Sequence, residues 1–203
     1  AELDEQYELT FTLGGDVLDA EARFEHAMLE RLGDLPVAGR LSGAAHIWGA
    51  LDSLNADALV SVENGSFNGD RVELETAMYL DQKHIEFADL SIDYLSNRIR
   101  SANGSMTFSD GLFSVAAEYA GAIQDRPLSF DLSIDGAFDM PIDRSDFSVI
   151  PQMGFSAAVA ASNVTLGQSK IDTWQFLLSQ RDDVISVRGG PEDAIRAEFK
   201  KDQ

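Results

Sequence analysis

From Asn55 to Tyr119 the chain alternates oily and wet positions, strand after strand. Ala56, Ala58, Val60 and Val62 interleave with Asp57, Leu59, Ser61 and Glu63. Val72, Leu74, Met78 and Leu80 interleave with Glu73, Glu75, Ala77 and Tyr79. Ile85 and Phe87 follow, then Leu90, Ile92 and Tyr94, then Met106 and Phe108, then Phe113, Val115, Ala117 and Tyr119. Successive side chains on a strand point to opposite faces, so a period of two means one apolar face and one polar face. A helix would scatter these residues around its axis.

The flanking stretches read the same way. Tyr7, Leu9, Phe11 and Leu13 alternate up to a Gly14-Gly15-Asp16 turn. Val17 to Leu32 fits a strand through Leu18, Ala20, Ala22 and Phe24, and also fits a helix; we read a strand to about Glu25 and a helical turn over Ala27–Leu32, closed by Gly33 and Pro36. Val37, Leu41, Ala45, Ile47 and Leu51 share a parity with Gly39, Gly43 and Gly49, and these glycines are expected to leave space on the apolar side. Leu128–Ile134, Phe155–Ala161, Val164–Leu166, Trp174–Leu178 and Ile185–Val187 are further strands, with a parity switch between Ala161 and Val164. Pro141 and Pro151 mark a connection over Asp139–Gln152. The turn at Gly189-Gly190-Pro191 leads to a last alternation, Ile195, Ala197 and Phe199; a short helix starting at Pro191 is the alternative.

Part of this pattern recurs. Asn64-Gly65-Ser66 returns at Asn103-Gly104-Ser105, Tyr79 at Tyr119, and Asp89-Leu90-Ser91-Ile92-Asp93 at Asp131-Leu132-Ser133-Ile134-Asp135. A unit of about 40 residues suggests a stacked array, with copies over roughly 64–102 and 103–143. The fold expected is therefore all-β: one repeating domain over 1–203, a long antiparallel meander curled into an open β-groove with an apolar interior and little helix. With no initiator Met and no signal-like segment at Ala1, the chain is expected to be a mature product or a piece of a longer protein.

Charge narrows the partners. Thirty-five acidic residues against 15 basic ones give a formal charge of −20, which disfavours nucleic acid and anionic head groups. No cysteine is present, so disulfides, thiolate metal sites and a Cys nucleophile are excluded. His26, His46 and His84 show no ligand spacing, and no motif of a hydrolase, zinc protease or P-loop occurs. Asp131–Gly136 imitates the head of an EF-hand loop, but Ile142 stands where the bidentate Glu belongs. Asn64-Gly-Ser, Asn103-Gly-Ser and Asn163-Val-Thr165 match the glycosylation pattern and are read as turns. We expect no enzyme, no cofactor and no metal.

What the chemistry leaves is an apolar face with nothing obvious to cover it. The run Leu18–Phe24, Met28–Pro36, Gly39-Arg-Leu-Ser-Gly43, Gly49-Ala-Leu51, Ala58–Val62, Asn64-Gly65-Ser66 and Val187–Pro191 resembles the TamB family, within the wider AsmA-like group of Gram-negative envelope proteins. That resemblance implies a β-taco lined with apolar side chains, anchored in the inner membrane and spanning the periplasm. It implies a role in phospholipid transport and outer-membrane biogenesis. A TamA-like outer-membrane partner is implied for the full-length protein, with strand augmentation during assembly of outer-membrane β proteins as the alternative function. The expected lipid-binding lining is Leu41, Ile47, Val60, Val62, Val72, Leu74, Met78, Leu80, Ile85, Phe87, Leu90, Ile92, Met106, Phe108, Phe113, Val115, Phe130, Leu132 and Ile134. Parity switches near Asp89 and Asp110 leave the facing of single strands open, because a one-residue slip inverts a face.

Overall fold

The computed structural model describes residues 5–32, 37–67, 69–143, 147–171, 173–181, 184–190 and 194–200. The expected stop at Gly33 and Pro36, and Pro191 of the last turn, lie outside them. The described residues form two compact units, Ala1–Ala102 and Asn103–Gln203. The division falls where the recurring pattern begins its second copy.

The fold is all-β. The first unit holds β1 (Gln6–Gly14), β2 (Val17–Met28), β3 (Val37–Ala50), β4 (Asn55–Phe67), β5 (Asp70–Leu80) and β6 (His84–Tyr94). β7 (Asn97–Thr107) contains the point of division. The second unit continues with β8 (Leu112–Ile123), β9 (Arg126–Phe138), β10 (Phe155–Leu166), the short β11 (Ser169–Ile171), β12 (Trp174–Arg181), β13 (Val184–Gly189) and β14 (Ile195–Lys200). Within the first unit each strand from β1 to β6 pairs antiparallel with the next. In the second, β8, β9, β10, β12, β13 and β14 do the same, and β11 folds back on β10. This is the antiparallel meander that the alternation predicts. The expected helical turn is one 3₁₀ turn, Leu29–Leu32, and Ile195 opens a strand rather than a helix.

Two-residue turns join several strands. Gly15 has φ 61° at the first central position of the β1–β2 turn, where a type II′ geometry demands glycine. Gln124 and Asp125 are both left-handed, with φ 50° and 63°, as a type I′ turn requires. The β5–β6 turn is held by the Asp81 carboxylate, which accepts the N–H groups of Lys83 at 2.6 Å and His84 at 2.8 Å. Desolvation works against the charge on Asp81, but the two N–H donors, helped by His84 and Lys83, outweigh it and hold its carboxyl below the ordinary range. A depressed carboxyl stabilises the fold above its unfolded value of about 3.9 and loses that contribution as pH falls through the folded value. Asp81→Ala is therefore expected to cost roughly 1 kcal/mol at neutral pH. Thermal melts should show that cost shrinking as pH drops below about 4; a pH-independent difference would contradict the assignment.

The triplets read as turns are not turns. Asn64–Ser66 lies within β4, Asn103–Ser105 within β7 and Asn163–Thr165 within β10. Asn64 and Asn163 are the extra residues of β-bulges, with φ 50° and 52°. His26 in β2 and Asp89 in β6 play the same part, with φ 55° and 52°. Asn and Asp tolerate this conformation better than other non-glycine residues. A bulge sets two residues against one, bends the strand and reverses the side-chain parity beyond it. The sequence changes parity at the same places, so the apolar side chains stay on one face. The backbone at His26 donates to Ser42 Oγ at 3.1 Å, and the hydroxyl of Thr76, buried opposite the Asp89 bulge, lies 3.4 Å from the Ala88 carbonyl. Asn64→Val should destabilise the first unit by about 1–2 kcal/mol and Asn64→Gly should be near neutral, as read from denaturant midpoints. Equal losses for both would mean that the side chain, not the backbone, holds the bulge.

Candidate apolar binding face

Residues paired across an antiparallel ladder lie on the same face, so the register sorts the side chains. In the first unit one row across four strands is Leu41, Val62, Leu74 and Ile92. A second is Ile47, Ala56, Leu80 and Ile85, and a third is Ala45, Ala58, Met78 and Phe87. Val60 and Val72 share the parity of these rows, as does Leu90 through Ile92. The Asp89 bulge is what allows Phe87 and Leu90 to face the same way. Every lining residue expected in this unit thus falls on one side. Most are half-buried, and Ile47 and Met78 are 39% and 41% exposed.

In the second unit Val115 pairs with Ile134 and Ile134 with Val159; Tyr119 pairs with Phe130, and Leu132 with Ala117. Tyr119 and Phe130 stack at 4.7 Å. Phe113, Phe138 and Phe155 form a second aromatic group, with centroids 5.0–6.2 Å apart. Phe113, Val115, Phe130, Leu132 and Ile134 therefore also share one face. Tyr79 and Tyr119, matched by the recurring pattern, do not correspond: Tyr119 belongs to the apolar face and Tyr79 to the polar one.

Phe108 and the glycines stand apart from the rest of the face. Phe108 is only 5% exposed: its carbonyl accepts the N–H of Ile142 at 2.8 Å, and Ile142 and Met153 are as deeply buried. Phe108 is thus far less exposed than the other residues expected in the lining. Met106, two residues earlier, is half-buried. The glycines do not leave the expected space either. A Cβ on Gly43 would come within 3.0 Å of the ring of Phe24, its cross-strand partner, and one on Gly39 would meet the Gly65 backbone at 2.7 Å. Aromatic rings and close-packed backbone fill those positions.

Sequence reasoning left the β10–β13 contribution off the lining, although the alternation marks it. Val159, Phe176, Leu178, Ile185 and Val187 continue the apolar face by register. Leu18, Ala20, Ala22 and Phe24, opposite β1 and β3, continue the face of the first unit.

The opposite face carries the charge. Asp19, Glu21, Arg23, Asp57, Glu63, Glu73, Glu75 and Glu86 occupy it in the first unit by the same register. His46 lies 3.1 Å from Asp19 and stacks on Trp48 at 4.5 Å; His84 lies 3.0 Å from Asp81. Arg100 donates to both Asp93 oxygens at 3.0 and 3.2 Å. No group of three metal-ligating side chains occurs among the described residues. A cavity of about 820 Å³ in the second unit also opens on the polar side, lined by Ser114, Asp135, Ser156, Ser179, Ser186 and Arg188 with Leu112 and Leu177. Phe113, Ala137, Ala158 and Leu178 also line it, and more of its surface is apolar than polar.

The geometry defines a class: open antiparallel meanders with one apolar face in each unit, and a charged face opposite it in the first. Comparison with protein-family models, with curated proteins and with solved structures returns no match for this chain.

Proposed function

We propose that this chain is a groove segment that shelters the acyl chains of phospholipid, or of another lipid, during transport across an aqueous space between two membranes. The periplasm is the setting that the family resemblance implies. The observation that carries the reading is the register: within each unit the apolar side chains of successive strands fall on one face, and the bulges preserve that facing where parity changes. Most of those side chains are half-exposed. Moving an acyl chain from membrane to water costs about 0.8 kcal/mol per CH₂, and contact with such a face offsets most of it. Transfer needs continuous and unspecific contact, for which no polar constellation is required. In the first unit the charged face opposite favours solubility.

The test is extraction of the protein purified without detergent, followed by lipid mass spectrometry, with titration of a fluorescent fatty acid as the second arm. Co-purified phospholipid and saturable probe binding are expected. A folded sample that carries no lipid and leaves the probe free would end the proposal.

A further inference from the structure

We infer that the second unit binds a small amphiphilic anion on the face opposite its apolar rows, with Arg188 receiving the anionic group. The site is the cavity of about 820 Å³, a volume that suits a ligand of drug-like size. By register one row across it is Leu112, Ala137, Ser156, Ser179 and Ser186. The next row is Ser114, Asp135, Ala158, Leu177 and Arg188. A second hollow of about 460 Å³ shares Leu177 and Arg188, so a ligand lying along that row has room on both flanks. The strands β9, β10, β12 and β13 are each paired on both sides. The cavity therefore does not rest on an edge strand.

The lining sets the chemistry of the ligand. Leu177 interrupts the alternation of Trp174, Phe176 and Leu178 and stands on the opposite face, 61% exposed; Leu112 on the same face is 51% exposed. Two bare leucines beside a hollow give an apolar body a surface to cover, and covering it is favourable in proportion to area. The hydroxyls of Ser156, Ser179 and Ser186 offer donors and acceptors between them. Arg188 forms no ion pair or hydrogen bond among the described residues. Its partner across the β13–β14 ladder is Arg196, so two guanidinium groups share one face. Like charges opposed across strands repel. A bound anion turns that repulsion into attraction, and a guanidinium can receive a carboxylate or phosphate with two parallel N–H donors. Asp135 stands three strands from Arg188 on the same row, about 14 Å away at a strand spacing of about 4.8 Å. Its carboxylate repels a second anion, so the ligand carries one anionic group, at the Arg188 end. The inference does not depend on acyl-chain binding, which concerns the other face.

The probe is anilinonaphthalene sulfonate, an aromatic body with one anionic group. Because it can also lie on an apolar face, the readout must be local. The chain has no cysteine, so Ser156→Cys places a single thiol in the cavity, and Ser179→Cys places one opposite it on β12. The experiment follows alkylation of each thiol by iodoacetamide in the 203-residue chain as the probe is added. At a probe concentration ten times the dissociation constant, alkylation should slow about tenfold. Adding Arg188→Gln removes the charge and should weaken the probe about tenfold, leaving about twofold protection at the same concentration. That change also relieves the repulsion with Arg196, so the strand pair should remain folded. Phenylnaphthylamine, the same body without the sulfonate, should protect far more weakly. Leu59→Cys, exposed on the polar face of the first unit, should react equally fast with and without the probe. Lack of protection at both cavity thiols would overturn the proposal. So would protection that survives Arg188→Gln, equal protection by the neutral probe, or equal protection of Leu59→Cys. Leu74→Asp, aimed at the acyl-chain reading, should leave protection of the cavity thiols intact, so the two readings fail separately.

Discussion

Leu74→Asp is expected to abolish acyl-chain binding by the first unit while leaving the unit folded. Leu74 sits at the middle of a row, between Val62 and Ile92, with Leu41 beyond Val62. An aliphatic chain lying across these strands must pass over it. A carboxylate there keeps its water, and stripping that water without a partner costs several kcal/mol. Each 1.4 kcal/mol is a factor of ten, so affinity for a fluorescent fatty acid should fall by about 100-fold or more. Leu74 is half-buried, and its loss should lower stability by about 1–2 kcal/mol. Circular dichroism is needed beside the titration for that reason. Leu59→Asp is the control. Leu59 is 55% exposed and belongs by register to the polar face of β4. It should bind the probe as the parent chain does. Binding lost in Leu59→Asp and kept in Leu74→Asp would place the ligand on the wrong side of the sheet for the proposed function.

The choice of Leu74 illustrates what the bare chain reveals. Alternation over Val72–Leu80 sets the face of that strand without coordinates, because period two leaves only two options and burial selects one. The relation between Ile85–Phe87 and Leu90–Ile92 was not legible. Alternation places a parity switch near Asp89, but only the register and the positive φ show that a bulge there keeps both segments on one face. Asn64 misled for a related reason. Asn-Gly is the strongest short turn signal, since both residues accept left-handed backbone; a bulge asks for the same conformation in mid-strand. The burial of Phe108 was hidden as well. The Phe108 carbonyl accepts from Ile142, in a connection whose prolines announce irregular chain without saying where it packs. Glycine on an apolar parity was ambiguous too. It can leave a gap or seat a neighbouring ring, and cross-strand register decides between them.

Gly136 is the clearest case of the second kind, and Gly136→Val is expected to be the most destabilising single change in the second unit. Gly136 lies on the apolar face between Phe113 and Ala157. A Cβ built on it would come within 2.4 Å of the Phe113 ring, 2.7 Å of the Ser156 carbonyl and 2.8 Å of the Ala157 Cβ. Only the ring can move far. Displacing it also separates Phe113 from Phe138 and Phe155, 5.0 and 6.1 Å away. Overpacking of this kind costs about 1–3 kcal/mol, and loss of aromatic pairing adds about 0.5–1.5 kcal/mol. A total near 3 kcal/mol is expected by chemical denaturation. Phe113→Leu alone should cost about 1 kcal/mol, because volume is largely kept. In Gly136→Val/Phe113→Leu the smaller side chain vacates part of the contested space, so the two losses should sum to less than their total by about 1 kcal/mol. Strict additivity would show that the ring does not occupy the glycine's vacant side. The Ser156 carbonyl and the Ala157 Cβ, both fixed on the β10 backbone, would then be the obstacles.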